Sequence, residues 1–255
     1  MEKINFNTAK ILILAVLSTT ISQAQTEKKN VLPQIKTNQE DYYIREVIPL
    51  PKGEVIEIGS IALMSGNQIA VGTRRGDIWI CTGAYETDLT KVTWKKAYNA
   101  AHEPLGMHYK DGWLYLQDRE AYGRIADKDK DGTYETYEMI SNEWGMTGDY
   151  HEYVFGSTPD KDGNVYTVNC LTGSFHPKAQ WRGWSMKIAP DGTTTPFASG
   201  IRSPGGIGYN DKGDLFYTDN QGMWNGTSCL KPLKPGNCTG NPARNIFYKH
   251  HPTHT

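Results

Sequence analysis

An all-β chain built as a run of β-propeller blades is predicted by three features of the sequence. First, a Gly-bearing turn leading into a short strand recurs four times: Gly66-Asn67-Gln68-Ile69-Ala70-Val71, Asp111-Gly112-Trp113-Leu114-Tyr115-Leu116, Asp162-Gly163-Asn164-Val165-Tyr166-Thr167-Val168 and Lys212-Gly213-Asp214-Leu215-Phe216-Tyr217-Thr218. These starts lie about 45–50 residues apart, which suits a four-stranded blade better than a solenoid repeat of about 20–35. Second, further strands sit at hairpin spacing around them, such as Asp77-Ile78-Trp79-Ile80 after Arg75-Gly76, and Ser185-Met186-Lys187-Ile188 before Pro190-Asp191-Gly192. Third, the chain carries 26 Gly, 15 Tyr and 7 Trp and no segment with a convincing amphipathic helical period. A β-sandwich shares the alternation but would space its turn signals evenly, without the longer period.

The N-terminus predicts export. Lys3 and Lys10 precede the apolar run Ile11-Leu12-Ile13-Leu14-Ala15-Val16-Leu17, and Ser22-Gln23-Ala24 offers small residues where a signal peptidase cuts. Residues 1–24 therefore read as a signal peptide, with the mature protein periplasmic or secreted. The run falls short of the roughly 20 apolar residues that span a bilayer, so no membrane insertion is expected after cleavage. Residues 25–41, polar and rich in lysine, read as a linker. Residues 42–255 are expected to form the propeller, with length for four to five blades at the observed period.

The formal net charge of -1 gives no electrostatic reason to expect nucleic acid or an anionic membrane as a partner. Cys81, Cys170, Cys229 and Cys238 would meet an oxidising compartment. Cys229 and Cys238 flank the turn Lys234-Pro235-Gly236, so a bridge between them is one of three possible connectivities. No C-x-x-C-H motif for covalent haem and no G-x-S-x-G elbow around Ser60, Ser65 or Ser157 is present.

Asp127-Lys128-Asp129-Lys130-Asp131-Gly132, with Glu138 at the twelfth position, satisfies the pattern of an EF-hand calcium loop. The flanking stretches read as strands rather than helices, so the alternatives are a structural Ca2+ held by Asp127, Asp129 and Asp131, or an Asp/Gly turn that needs no ion. His102, Glu103 and His108 lack metal-ligand spacing and, on an alternating strand, would not converge. Trp181, Trp184 and Trp224, near Arg182, suit either blade interfaces or a rim on which a sugar could stack.

Three stretches, in order, resemble the soluble PQQ-dependent glucose/sorbosone dehydrogenase propellers, notably a bacterial branch of large secreted proteins. They are Glu103-Pro104-Leu105-Gly106-Met107-His108-Tyr109; Gly148-Asp149-Tyr150-His151-Glu152-Tyr153-Val154-Phe155-Gly156; and Ala198-Ser199-Gly200-Ile201-Arg202-Ser203-Pro204-Gly205-Gly206-Ile207-Gly208, running on through Asp219-Asn220-Gln221-Gly222 to Lys234-Pro235-Gly236-Asn237. The similarity spans roughly residues 42–248 and implies a six-bladed propeller of the TolB-like type, here incomplete.

The resemblance implies a quinoprotein oxidoreductase that uses PQQ and Ca2+ to oxidise a sugar or polyol; no electron acceptor is specified. It assigns His151 as the base that removes the hydroxyl proton, and Arg202 as the group that polarises the quinone carbonyl. Ser203 and Gln221 fall at cofactor contacts, and the backbone carbonyls of Gly222 and Met223 at the calcium, a hard ion suited to carbonyl oxygen. Where the family orients the histidine with a carboxylate, this chain has Asn169, which can hold a tautomer but cannot stabilise imidazolium as an anion does. Further basic residues for the cofactor's carboxylates belong, in the family, to later blades. The competing expectation is a non-catalytic propeller that binds carbohydrate or a partner protein. A metal-dependent lactonase would need acidic side chains converging on a central channel, and none is evident.

Overall fold

In a computed structural model, residues 38–171 and 179–242 are described. The signal-peptide reading of 1–24 lies outside them, as does most of the linker reading of 25–41. The chain divides into two compact units, residues 1–47 and 48–255. Within the described part of the first, the one regular element is a 3-10 turn at Gln39–Asp41.

The second unit is four antiparallel sheets in succession. The first blade comprises β1 (Ile58–Met64), β2 (Gln68–Thr73), β3 (Ile78–Thr82) and β4 (Thr93–Tyr98); the second, β5 (Met107–Lys110), β6 (Trp113–Gln117), β7 (Tyr122–Ala126) and β8 (Thr136–Ser141). The third comprises β9 (Val154–Pro159), β10 (Val165–Asn169), β11 (Trp184–Ile188) and β12 (Thr194–Ser199), and the fourth β13 (Pro204–Tyr209), β14 (Leu215–Asp219) and β15 (Cys229–Leu233). Strands pair in chain order, so every blade is an up-and-down meander. The expectation of four to five blades is met by four among the described residues, and no α-helix occurs there. Each of the four repeats seen in the sequence opens the second strand of a blade. Asp111 and Gly112, with φ of 51° and 82°, form the two-residue hairpin turn that joins β5 to β6.

Three apolar cores lie between consecutive blades rather than inside any one of them. Ala62, Ala70, Ile78 and Ile80 of the first blade meet Met107, Leu114, Leu116 and Ile125 of the second. Tyr122 and Trp144 meet Val154, Val165 and Ile188 of the third. Tyr166, Val168 and Ala198 meet Leu215, Tyr217 and Leu233 of the fourth. Both faces of a middle blade are thus buried, which is why its strands read as near-continuous apolar runs: all five residues of β10 are buried.

The first strands of the blades, β1, β5, β9 and β13, lie side by side in that order and form the hub. Their approach depends on glycine. A Cβ on Gly106 would sit 2.0 Å from the carbonyl oxygen of Gly156, where the entrance to β5 meets β9. Gly106→Ala should therefore force the second and third blades apart, lowering stability by about 1–3 kcal/mol; a denaturant midpoint reads this, and an unchanged midpoint would show that the hub yields freely. The thiols of Cys229 and Cys238 are not joined, so the bridge weighed from the sequence is not formed in this structure.

Candidate functional site

The sequence folds so that residues just before each hub strand gather at one end of the blades. His151 precedes β9 by three positions and Arg202 precedes β13 by two, and β9 and β13 are neighbours at the hub. Strands β2, β6, β10 and β14 end at this same rim, because they run antiparallel to the hub strands. Asn169 and the 220–228 loop therefore also belong to it.

Arg202 is held from several sides. Its carbonyl accepts Leu171 N–H at 3.0 Å and the Cys170 thiol at 3.3 Å. The buried carboxylate of Asp219, the last residue of β14, accepts Arg202 N–H at 3.4 Å and Ser203 N–H at 2.8 Å. The same carboxylate accepts Lys231 Nζ at 3.1 Å, and this ammonium also donates to Asn225 Oδ1 and to the Thr239 carbonyl. The guanidinium rests on the 220–228 loop, donating from Nη1 to the Gln221 carbonyl at 2.7 Å. Gly222, at φ 152°, makes this possible, since a Cβ there would lie 2.3 Å from Arg202 Cζ. Arg202 Nε is buried with no hydrogen-bond partner among the described residues.

Gly222 closes a tight turn with Asn225, its carbonyl accepting Asn225 N–H at 3.0 Å. Between them Met223 and Trp224 stand exposed, and Trp224 takes a φ of 68°, an uncommon conformation for a bulky residue. Of the three tryptophans, Trp184 is fully buried and meets Trp181 edge to face at 5.2 Å, and Trp181 packs against the core between the second and third blades. Trp224, 70% exposed, is left at the rim beside Arg202.

His151 is partly exposed, its ring against Tyr150 at 3.8 Å between centroids. Nδ1 is buried, makes no hydrogen bond to a described residue, and lies 3.8 Å from Asp149 Oδ1. The amide of Asn169 donates to the Trp181 carbonyl at 3.2 Å and its Oδ1 accepts the Thr167 hydroxyl at 3.1 Å. Asp149 is the acid beside the imidazole. The sequence signal for it was the spacing Asp-x-His, in which Asp149 Oδ1 accepts the His151 N–H at 2.9 Å as an Asx-turn.

A chain of ionic and polar contacts underlies this rim. Glu103 pairs with Arg119 at 3.0 Å and with Arg74 at 3.4 Å, and Arg119 donates to the carbonyls of Asp149 and Glu152. The Glu152 carboxylate accepts Thr147 and Gly148 N–H and the Thr147 hydroxyl. Arg182 donates to the carbonyls of Gly145 and Tyr153. Burial pushes its guanidinium down to about 10, with Glu152 opposing that fall. These residues brace the His151 turn from below, and no motif announced them.

The Asp-rich loop sits between β7 and β8, away from the rim. Asp127, Asp129 and Glu135 bring ligand oxygens within 4.8 Å of one another. The third candidate ligand, Asp131, has its carboxylate accepting Thr133 N–H and facing Lys95, while Glu138 accepts Arg124 at 2.6 and 2.8 Å. Asp127 and Asp129 themselves accept Gly132 and Asp131 N–H, which is the arrangement of a self-capped turn.

No protein-family model and no curated protein matches the sequence. Among solved structures, the chain is similar to a PQQ-bound aldose sugar dehydrogenase from Streptomyces coelicolor, at 16% identity and TM-score 0.55, covering 72% of this chain and 62% of that one. It is also similar to a putative oxidoreductase (glucose dehydrogenase) from Thermus thermophilus, at 14% identity and TM-score 0.58, covering 74% and 66%. A third is the PQQ domain of a pyranose dehydrogenase from Coprinopsis cinerea, at 13% and 0.51, covering 69% and 48%. The chain spans less than two thirds of the length of each. Its four blades have the β-propeller fold of these sugar dehydrogenases.

Proposed function

We propose that this chain is an exported, quinoprotein-type dehydrogenase that uses PQQ and Ca2+ to oxidise a hydroxyl of a sugar or polyol at the rim carrying His151 and Arg202. The observation that carries this reading is the placement of an imidazole and a braced guanidinium before two neighbouring hub strands.

The residues present fit the quinone end of such a cofactor. Arg202 Nε is a buried donor without an acceptor, and Gly222 leaves the room in which the guanidinium lies. PQQ, when bound, supplies a two-electron acceptor. His151 takes the substrate hydroxyl proton at Nε2, and Asp149 stabilises the imidazolium that results through the ring's other nitrogen. Arg202 stabilises negative charge on oxygen as the hydroxyl carbon is oxidised. Ser203 and Gln221 flank that guanidinium, and the carbonyls of Gly222 and Met223 are the proposed calcium ligands. Trp224 offers an exposed indole face for the sugar.

Reconstitution with PQQ and Ca2+ should give dye reduction with aldoses, reduced about 10²–10⁴-fold by His151→Ala. No turnover with any aldose or polyol, with PQQ bound, would contradict the reading. A second reading, a non-catalytic propeller that binds carbohydrate, draws on the commitment of Asn169 to Trp181 and Thr167 where the resemblance requires a carboxylate.

A further inference from the structure

A cleft of about 730 Å³ opens between the third and fourth blades at the opposite rim. It is lined by the ends of β9 and β13, the turns that follow them, and the exit of β15. Since His151 and Arg202 precede those same hub strands, a strand's length, roughly 20 Å, separates the two places. Its volume falls in the range of small-molecule sites, about 300–1,000 Å³.

Its chemistry is mixed in a specific way. The wall is aromatic: Tyr166 meets Phe197 and Tyr209 edge to face, at 4.8 and 6.4 Å between centroids, and Phe216 also faces the cleft. The mouth carries Asp160, Asp162 and Asp214 against Lys161, Lys212 and Lys234, so no net charge selects an anion or a cation. Asp160 is spent on the cleft's own frame, accepting Tyr166 Oη, Asn164 and Asp162 N–H. The side chains of Lys212 and Lys234 make no hydrogen bond or ion pair with described residues. The hydroxyl of Tyr209 is buried and has no hydrogen-bond partner among the described residues. A buried hydroxyl left unpaired costs about 1–3 kcal/mol, which a ligand able to donate or accept would relieve.

A ligand matched to this surface is neutral, with apolar faces and a polar edge. We propose that the cleft binds a neutral carbohydrate, its ring C–H face against Tyr209 and Phe197 and its hydroxyls on Tyr209 Oη, Lys212 and Lys234. The site is separate from the rim proposed for oxidation and does not depend on it. A smaller cleft on the other side of the same 159–163 turn, with Tyr115, Tyr122 and His108, shares Lys161 and Asp162 with the first. This continuity favours an oligosaccharide over a single sugar.

The test is calorimetric titration of the full chain, without PQQ, using cellohexaose, xylohexaose and maltohexaose, with oligogalacturonate as an anionic probe. At least one neutral hexaose should bind in the millimolar range or tighter. Tyr209→Phe, which keeps the ring, and Lys212→Ala with Lys234→Ala should each weaken it by about fivefold or more. Binding of oligogalacturonate alone, of none of the probes, or equal binding by wild type and both cleft variants overturns the proposal.

Discussion

Asp219→Ala is expected to cost about 3–5 kcal/mol of stability, the range for stripping one partner from a buried ion pair. The Asp219 side chain is wholly inaccessible and the Lys231 side chain only 17% exposed. Removing the carboxylate takes away the counter-charge of the Lys231 ammonium and the acceptor of two backbone N–H groups, at Arg202 and Ser203. Asp219→Asn keeps an acceptor but not the charge, so it should fall between wild type and alanine. Denaturant unfolding checks the order, and an Asp219→Ala midpoint equal to wild type would mean that the Arg202 turn is held by other contacts. The loss should also reach the site, because Asp219 positions Arg202 without touching any reacting group.

The second large effect is on pH dependence. Asp118 lies in the turn from β6 to β7, one carboxylate oxygen buried and unpartnered. Burial pushes the carboxyl up to about 7, with the like charge of Glu120 adding to the rise and His102 opposing it. Glu120 is itself paired to His102 Nδ1 at 2.6 Å, and Tyr98 and Tyr137 are the other titratable groups that feel Asp118. The folded state thus holds a proton that the unfolded chain releases near pH 4. Stability from this group is complete below that point and is lost as pH rises through about 7, a change on the order of 4 kcal/mol at most. In Asp118→Asn the loss should vanish, so wild type and variant should match near pH 4 and the variant should be the more stable at pH 8. Thermal melts across that range decide it; parallel profiles would contradict a buried, titrating Asp118.

The fold was legible because its determinants are local and periodic. Turn chemistry such as Asp111-Gly112 and the apolar β10 run recur once per blade, and recurrence separates blades from sandwich strands. The Arg202 corner was legible for a related reason: its turn, and the glycine at 222 that admits the guanidinium, are sequence-encoded backbone features. What supports the site was not legible. Asp219 and Lys231 meet across a strand pair and a loop, and Glu103, Arg119, Glu152 and Arg182 meet across blades, so no spacing in the chain reveals them. Asn169 stands at the end of β10 with its side chain turned to Thr167 and Trp181, and the acid near His151 comes from two residues upstream. Glu138, placed by pattern in a calcium loop, stands on β8, where it faces Arg124 across the sheet.

Whether the rim of His151 and Arg202 is a quinone site is measured directly by calorimetric titration of PQQ, with Ca2+ present, into the chain and into Arg202→Ala. One PQQ per chain should bind, with affinity at least tenfold weaker (about 1.4 kcal/mol) in the variant. No detectable binding to wild type, or equal affinity in the two proteins, would contradict a quinone site at this rim.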